Sequence, residues 1–99
     1  MRAVRVTRLD GPDAVEVTDI EEPRDGEGVV IDVHAAGVAF PDALLTRGLY
    51  QYKPQLPFTP GGEVAGVVRS APEGAHVGQG DRVAALTMLD GGMGEVAVV

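Results

Sequence analysis

A mainly β, antiparallel, barrel-like fold with one short helix is the fold class this sequence predicts. Apolar and polar residues alternate in several short stretches, as in half-exposed strands. Those stretches are separated by glycine and proline turn signals, supplied by 14 glycines and 7 prolines in 99 residues. Only one segment carries the start and stop signals of a helix. Six or seven short strands joined by turns, with one short helix, imply a mainly antiparallel, barrel-like fold.

The elements follow in order. Over residues 2–9, Val4 and Val6 point one way and Arg5 and Thr7 the other. Asp10-Gly11-Pro12 is a turn signal, and Ala14 to Ile20 alternates again, with Val15 and Val17 opposite Glu16 and Thr18. The pair reads as an antiparallel hairpin with a short irregular loop. Residues 21–28 form a charged, solvated connector. Val29 to Val38 is the strongest strand, with Val29, Ile31 and Val33 on one face and Asp32 and His34 on the other. A helix is predicted over 41–47. Pro41 suits the first turn, and Gly48 suits the left-handed residue after the last. Residues 49–60 read as an ordered loop, since their prolines break both regular patterns. Strands are predicted for Gly61 to Ala71, Asp81 to Met88 and Met93 to Val99, with a turn over 89–92 before the last.

Composition excludes several function classes. There are no cysteines, so disulfides, thiolate catalysis and Cys-liganded zinc are excluded. The formal net charge of −7, with the basic residues scattered, argues against nucleic-acid binding. No apolar run is long enough to span a bilayer, and residues 1–8 lack the apolar core of a secretory signal. A soluble, cytoplasmic domain is expected.

Candidate chemistry is sparse. His34 and His76 lie far apart in different elements and suggest no metal centre; both read as exposed residues. Gly91-Gly92-Met93-Gly94 is followed by a strand-like segment, so it reads as a hairpin turn and not as a dinucleotide cradle. Ser70 and the threonines have no apparent His–Asp partnership in sequence. Phe40, Tyr50, Tyr52 and Phe58 are the only aromatics, and they cluster between positions 40 and 58. Such a cluster can line an apolar pocket for a planar ligand or pin a long loop to the core. Tyr50 fits either role, and its hydroxyl could orient a carbonyl oxygen; Phe58 reads as core.

Several words of this sequence, taken in order, resemble one family. They are Ala35-Ala36-Gly37-Val38-Ala39-Phe40-Pro41-Asp42, Arg47-Gly48-Leu49-Tyr50, and Leu56-Pro57-Phe58-Thr59-Pro60-Gly61-Gly62-Glu63-Val64-Ala65-Gly66-Val67-Val68. Gly80-Asp81-Arg82-Val83 and Gly91-Gly92-Met93-Gly94-Glu95 complete the series, and Met1-Arg2-Ala3-Val4 through Gly11-Pro12 fits as its opening. Together they are similar to the medium-chain dehydrogenase/reductases, whose N-terminal domain is a GroES-like, partly open barrel. Zinc-dependent members have Cys where Ala39 stands and His where Gly62 stands, and they insert a four-Cys lobe after the Gly-Asp-Arg-Val word. The resemblance is therefore to the zinc-free quinone oxidoreductase (zeta-crystallin-like) branch. It implies NADPH as hydride donor, no zinc, and a quinone or electron-poor enone as acceptor. It also implies that Tyr50 and Asp42 serve catalysis and that Phe40 and Ala39 lie beside the cofactor. The branch commonly carries Asn at the position of Ala39, which has no side-chain hydrogen bond to offer.

In that family a dinucleotide-binding domain follows, and the chain then returns to this domain. Residues 1–99 are accordingly expected to be one substrate-side domain, without the cofactor domain and without hydride transfer of its own. The rival expectation is a free-standing binding module. In either case exposed strand edges favour self-association.

Overall fold

A computed structural model describes residues 1–23, 26, 28–88 and 90–99. Two antiparallel sheets form, and they do not close into a full barrel. The first pairs β1 (Arg2–Arg5) with β2 (Glu16–Asp19), the predicted hairpin. The second has the order β5-β4-β3-β6, built from β3 (Val30–Ala36), β4 (Glu63–Ser70), β5 (Arg82–Leu86) and β6 (Val96–Val98). One helix, α1 (Phe40–Arg47), lies between β3 and β4 in the chain. Of the predicted connector, Arg24, Asp25 and Glu27 lie outside the described residues. Among the described residues, no helix is long and apolar enough to cross a membrane.

The helix begins and ends for the predicted reasons. Pro41 sits in the first turn, where its missing N–H costs no intrahelical bond. Gly48 closes the last turn at φ 69°, the left-handed conformation that a Cβ disfavours, and Leu49 N–H bonds Leu44 C=O at 3.0 Å. The loop after it, through residue 60, contains no strand or helix beyond single bridges at Phe58 and Pro60, as expected.

The first strand departs from its predicted pattern. It ends at Arg5, not at residue 9, because Val6 turns away to pair with Phe58. Val6 N–H bonds Phe58 C=O at 2.8 Å, and Phe58 N–H returns a bond of 3.1 Å. The inward residues are thus Ala3 and Val6, three apart, and not Val4 with Val6. Of the predicted alternating pair, Val15 precedes β2 and is half-buried against the core, whereas all four β2 residues are exposed and Val17 is 61% accessible. In β3 the register shifts between Val33 and Ala35, leaving His34 as the bulged residue, and between Val30 and Ile31. Both Val30 and Ile31 are buried, where simple alternation buries one of them.

Gly91-Gly92-Met93-Gly94 does not make the predicted hairpin turn. β5 and β6 lie on opposite edges of the sheet, so no hairpin can join them. Leu89 lies outside the described residues. From Asp90 the chain instead runs along residues 59–61: Gly92 N–H bonds Gly61 C=O and Met93 N–H bonds Pro60 C=O, both at 2.9 Å. The glycines are needed at that crossing. A Cβ on Gly61 would lie 2.7 Å from the Met93 nitrogen, and a Cβ on Gly92 would lie 2.8 Å from the Gly61 carbonyl oxygen. Gly94 then bridges Ala3, and Glu95 bonds both Arg2 and β3. This segment therefore stitches the two sheets together and leaves β6 shorter than predicted.

Two cores result. Val6, Leu45 and Phe58 pack under α1, with Val15 and Tyr50 against them. Ile31, Val64 and Ala97 pack between β3, β4 and β6. On the outer surface Arg69 donates to Asp32 through Nε at 2.9 Å and to Glu22 through Nη1 at 2.8 Å, and these acceptors and charges raise its pKa.

Candidate functional site

The four residues that the resemblance singles out do not all meet. Ala39, Phe40 and Asp42 are gathered where β3 leaves its sheet and α1 begins. Gly37 N–H bonds the Glu63 carbonyl at 3.1 Å, which brings the entry to α1 alongside the start of β4. Ala39 is the extended residue before the helix and has no side-chain acceptor for the free N–H groups of the first turn. Asp42, three residues on, compensates: its Oδ2 accepts from Ala39 N–H at 2.8 Å. Its Oδ1 accepts from the buried Gly61 N–H at 3.1 Å. One buried carboxylate thus seals the helix end and ties it to the Gly61–Gly62 turn. Thr87 holds the turn from the other side by donating its hydroxyl to the Gly61 carbonyl.

Two cavities open beside this joint. The smaller, about 170 Å³, is lined by Ala39, Pro41, Asp42, Gly62 and Glu63. It unites Ala39 and Gly62, neither of whose side chains carries a donor atom. The larger, about 270 Å³, lies between α1 and β1 and shares Ala39 and Asp42 with the first. Val38 and Phe40 stand at the surface, 81% and 77% exposed, as an apolar ledge above the joint. The outer face of the sheet continues the apolar surface through Ala35, Ala65, Ala84 and Leu86.

Tyr50 lies past the far end of α1 and lines neither cavity; its ring is half-buried against Val6, Leu45 and Phe58. Phe58 is core, as predicted. Tyr52 reaches across the loop to donate to Asp90 at 3.2 Å. Desolvation, together with the Asp90 charge and its hydrogen bond, raises the phenol above its ordinary value. His34 and His76 are both exposed. Among the described residues no group of three or more His, Cys, Asp or Glu side chains could hold a metal ion. Sequence reasoning missed Glu63, whose exposed carboxylate flanks the small cavity, and the Tyr52–Asp90 contact. Strand alternation places Glu63 outward, but only the meeting of β3 with β4 puts it beside Ala39.

Comparison with known proteins agrees with this architecture. The family model of the alcohol dehydrogenase GroES-like domain matches residues 25–98. The quinone oxidoreductase of Rattus norvegicus is 38% identical over 101 residues, covering 99% of this chain and 31% of its own. Among solved structures, a probable oxidoreductase from Mycobacterium abscessus matches with a TM-score of 0.93 at 51% identity, over 100% of this chain and 32% of that one. The quinone oxidoreductase of Thermus thermophilus, solved also in complex with NADPH, matches with a TM-score of 0.80 at 40% identity, over 100% of this chain and 30% of that one. The chain spans about a third of the length of the relatives it matches. It belongs to the alcohol dehydrogenase GroES-like domain family and resembles the N-terminal domain of the quinone oxidoreductases.

Proposed function

We propose that this domain is the substrate-side part of an NADPH-dependent, zinc-independent oxidoreductase that reduces a quinone or an electron-poor enone. The observation that carries the reading is similarity along the whole chain to quinone oxidoreductases. Bound NADPH supplies the hydride, and the acceptor also takes up a proton. The described residues suit the ring end of that cofactor: the exposed ledge of Val38 and Phe40 offers a planar group an apolar face beside Ala39. They include no glycine-rich turn leading into a helix that would receive a pyrophosphate. In this reading the phosphate end therefore belongs to a second domain, and residues 1–99 alone transfer no hydride.

Each site residue has a distinct task in the proposal. Phe40 and Ala39 border the nicotinamide. Asp42 positions them, since both its oxygens already hold the backbone at the helix entry. Tyr50 donates a hydrogen bond to the acceptor oxygen as negative charge develops there. Zinc independence rests on donor chemistry: Ala39 and Gly62 offer no ligand atoms, which leaves Glu63 as the one carboxylate at the small cavity not committed to the backbone. A cytoplasmic setting, one that supplies NADPH, belongs to the same proposal.

The test is steady-state quinone reduction by the native polypeptide that carries this domain. NADPH-dependent turnover that survives chelator treatment supports the reading. Tyr50→Phe is expected to lower kcat by about 10²-fold with the fold intact. An unchanged rate removes Tyr50 from the mechanism, and no NADPH-dependent reduction of any quinone or enone refutes the reading. A second reading, a binding module without catalysis, is favoured by the exposed Val38, Phe40, Leu86 and Met88. Strong self-association without any reductase activity would select it.

A further inference from the structure

We propose that Glu63 sets acceptor selectivity by charge: its carboxylate, held over Gly37 at the rim of the small cavity, disfavours anionic acceptors relative to neutral ones. The inference deepens the oxidoreductase reading above and rests on it.

The charges at the cavity are of one sign. Its lining of Ala39, Pro41, Asp42, Gly62 and Glu63 holds two carboxylates and no basic side chain. Asp42 is buried, and its oxygens accept from Ala39 and Gly61 N–H, so backbone dipoles offset part of its charge. Glu63 is exposed, and among the described residues its side chain has neither a hydrogen-bond nor an ion-pair partner. Only water and salt therefore damp its repulsion of a nearby anion.

Gly37 fixes where that charge sits. Its N–H bonds the Glu63 carbonyl at 3.1 Å, and the Glu63 side chain folds back across its Cα. A Cβ on Gly37 would lie 2.6 Å from Cγ and 2.7 Å from Cδ of Glu63. Gly37 is not among the glycines at positive φ, so alanine suits its backbone. The atoms that a Cβ would meet belong to a flexible, exposed side chain. Gly37→Ala thus pushes the carboxylate off the rim and spares the fold. The same charge can be removed by one substitution and displaced by another.

The test is NADPH-dependent reduction of 1,4-naphthoquinone and of 1,4-naphthoquinone-2-sulfonate by the native polypeptide that carries this domain. The ratio of kcat/KM, sulfonate over neutral quinone, cancels effects common to both acceptors. At low salt Glu63→Gln is expected to raise the ratio about fivefold, and high salt should shrink the gain. Gly37→Ala should raise it by a smaller factor. Glu73→Gln makes the same change in net charge beyond the far end of β4 and should leave the ratio unmoved. A ratio unmoved by Glu63→Gln, or moved equally by Glu73→Gln, overturns the inference. If Glu63→Gln fails to fold, the ratio in Gly37→Ala decides. A parent that reduces neither quinone overturns the oxidoreductase reading and this inference with it. An active parent whose ratio Glu63→Gln does not move overturns this inference alone.

Discussion

Replacing Asp42 by alanine removes both acceptors that close the start of α1 onto the Gly61–Gly62 turn. The two losses differ in cost. Ala39 is exposed, so water can take over its N–H, and the loss resembles that of a helix cap, about 1 kcal/mol. Gly61 is buried, so its N–H is left unpaired at about 1–3 kcal/mol. Together Asp42→Ala should destabilise the domain by about 2–4 kcal/mol. At the midpoint of that range a chain of this size loses about 12–24 °C in Tm. Asp42→Asn should fall between the two proteins, because its amide oxygen can accept one N–H while its NH2 group faces the other donor. Urea unfolding measures this as a lowered midpoint at unchanged slope. Two variants within about 0.5 kcal/mol of the parent would refute the argument that this carboxylate anchors the site.

Three further outcomes follow from the same structure. Phe58→Ala empties the centre of the core beneath α1 and should cost about 3–5 kcal/mol, read by urea unfolding. The raised pKa of Tyr52 means that the unfolded chain loses this proton first, so stability should decline as pH rises above about 10. Asp90→Asn should bring the Tyr52 titration back down, as seen by tyrosinate absorbance. Arg69→Met removes an exposed ion-pair cluster and should leave the urea midpoint nearly unchanged, above all in high salt.

Local chemistry was legible in the sequence wherever it was local. The capping of α1 by Gly48, the loop status of residues 49–57 and the core role of Phe58 each depend on the residue itself. What depends on the chain crossing itself was not legible. Val6 leaves its strand because Phe58 offers a partner from 52 residues away, and residues 91–93 run across 59–61 instead of turning back. The bulge at His34 resets the alternation that assigned faces in β3. For the candidate site, the gathering of Ala39, Phe40 and Asp42 follows from their neighbouring positions at a helix entry. Their juxtaposition with Gly62 and Glu63 depends on a 19-residue contact through Asp42. Tyr50 sits after the helix C-cap, and no spacing rule relates that end to the cavity at the other.

The central claim is that this domain holds an acceptor for a hydride delivered by NADPH, and isotope transfer tests it most directly. The native polypeptide carrying the domain would be incubated with NADPH deuterated at the transferring carbon and with 2-cyclohexenone, and the product analysed by mass spectrometry. The account predicts cyclohexanone that has gained one deuterium from the cofactor. Unchanged enone with no deuterium gained, together with no deuterium transfer to any quinone, under conditions in which the polypeptide is folded and binds NADPH, would contradict it.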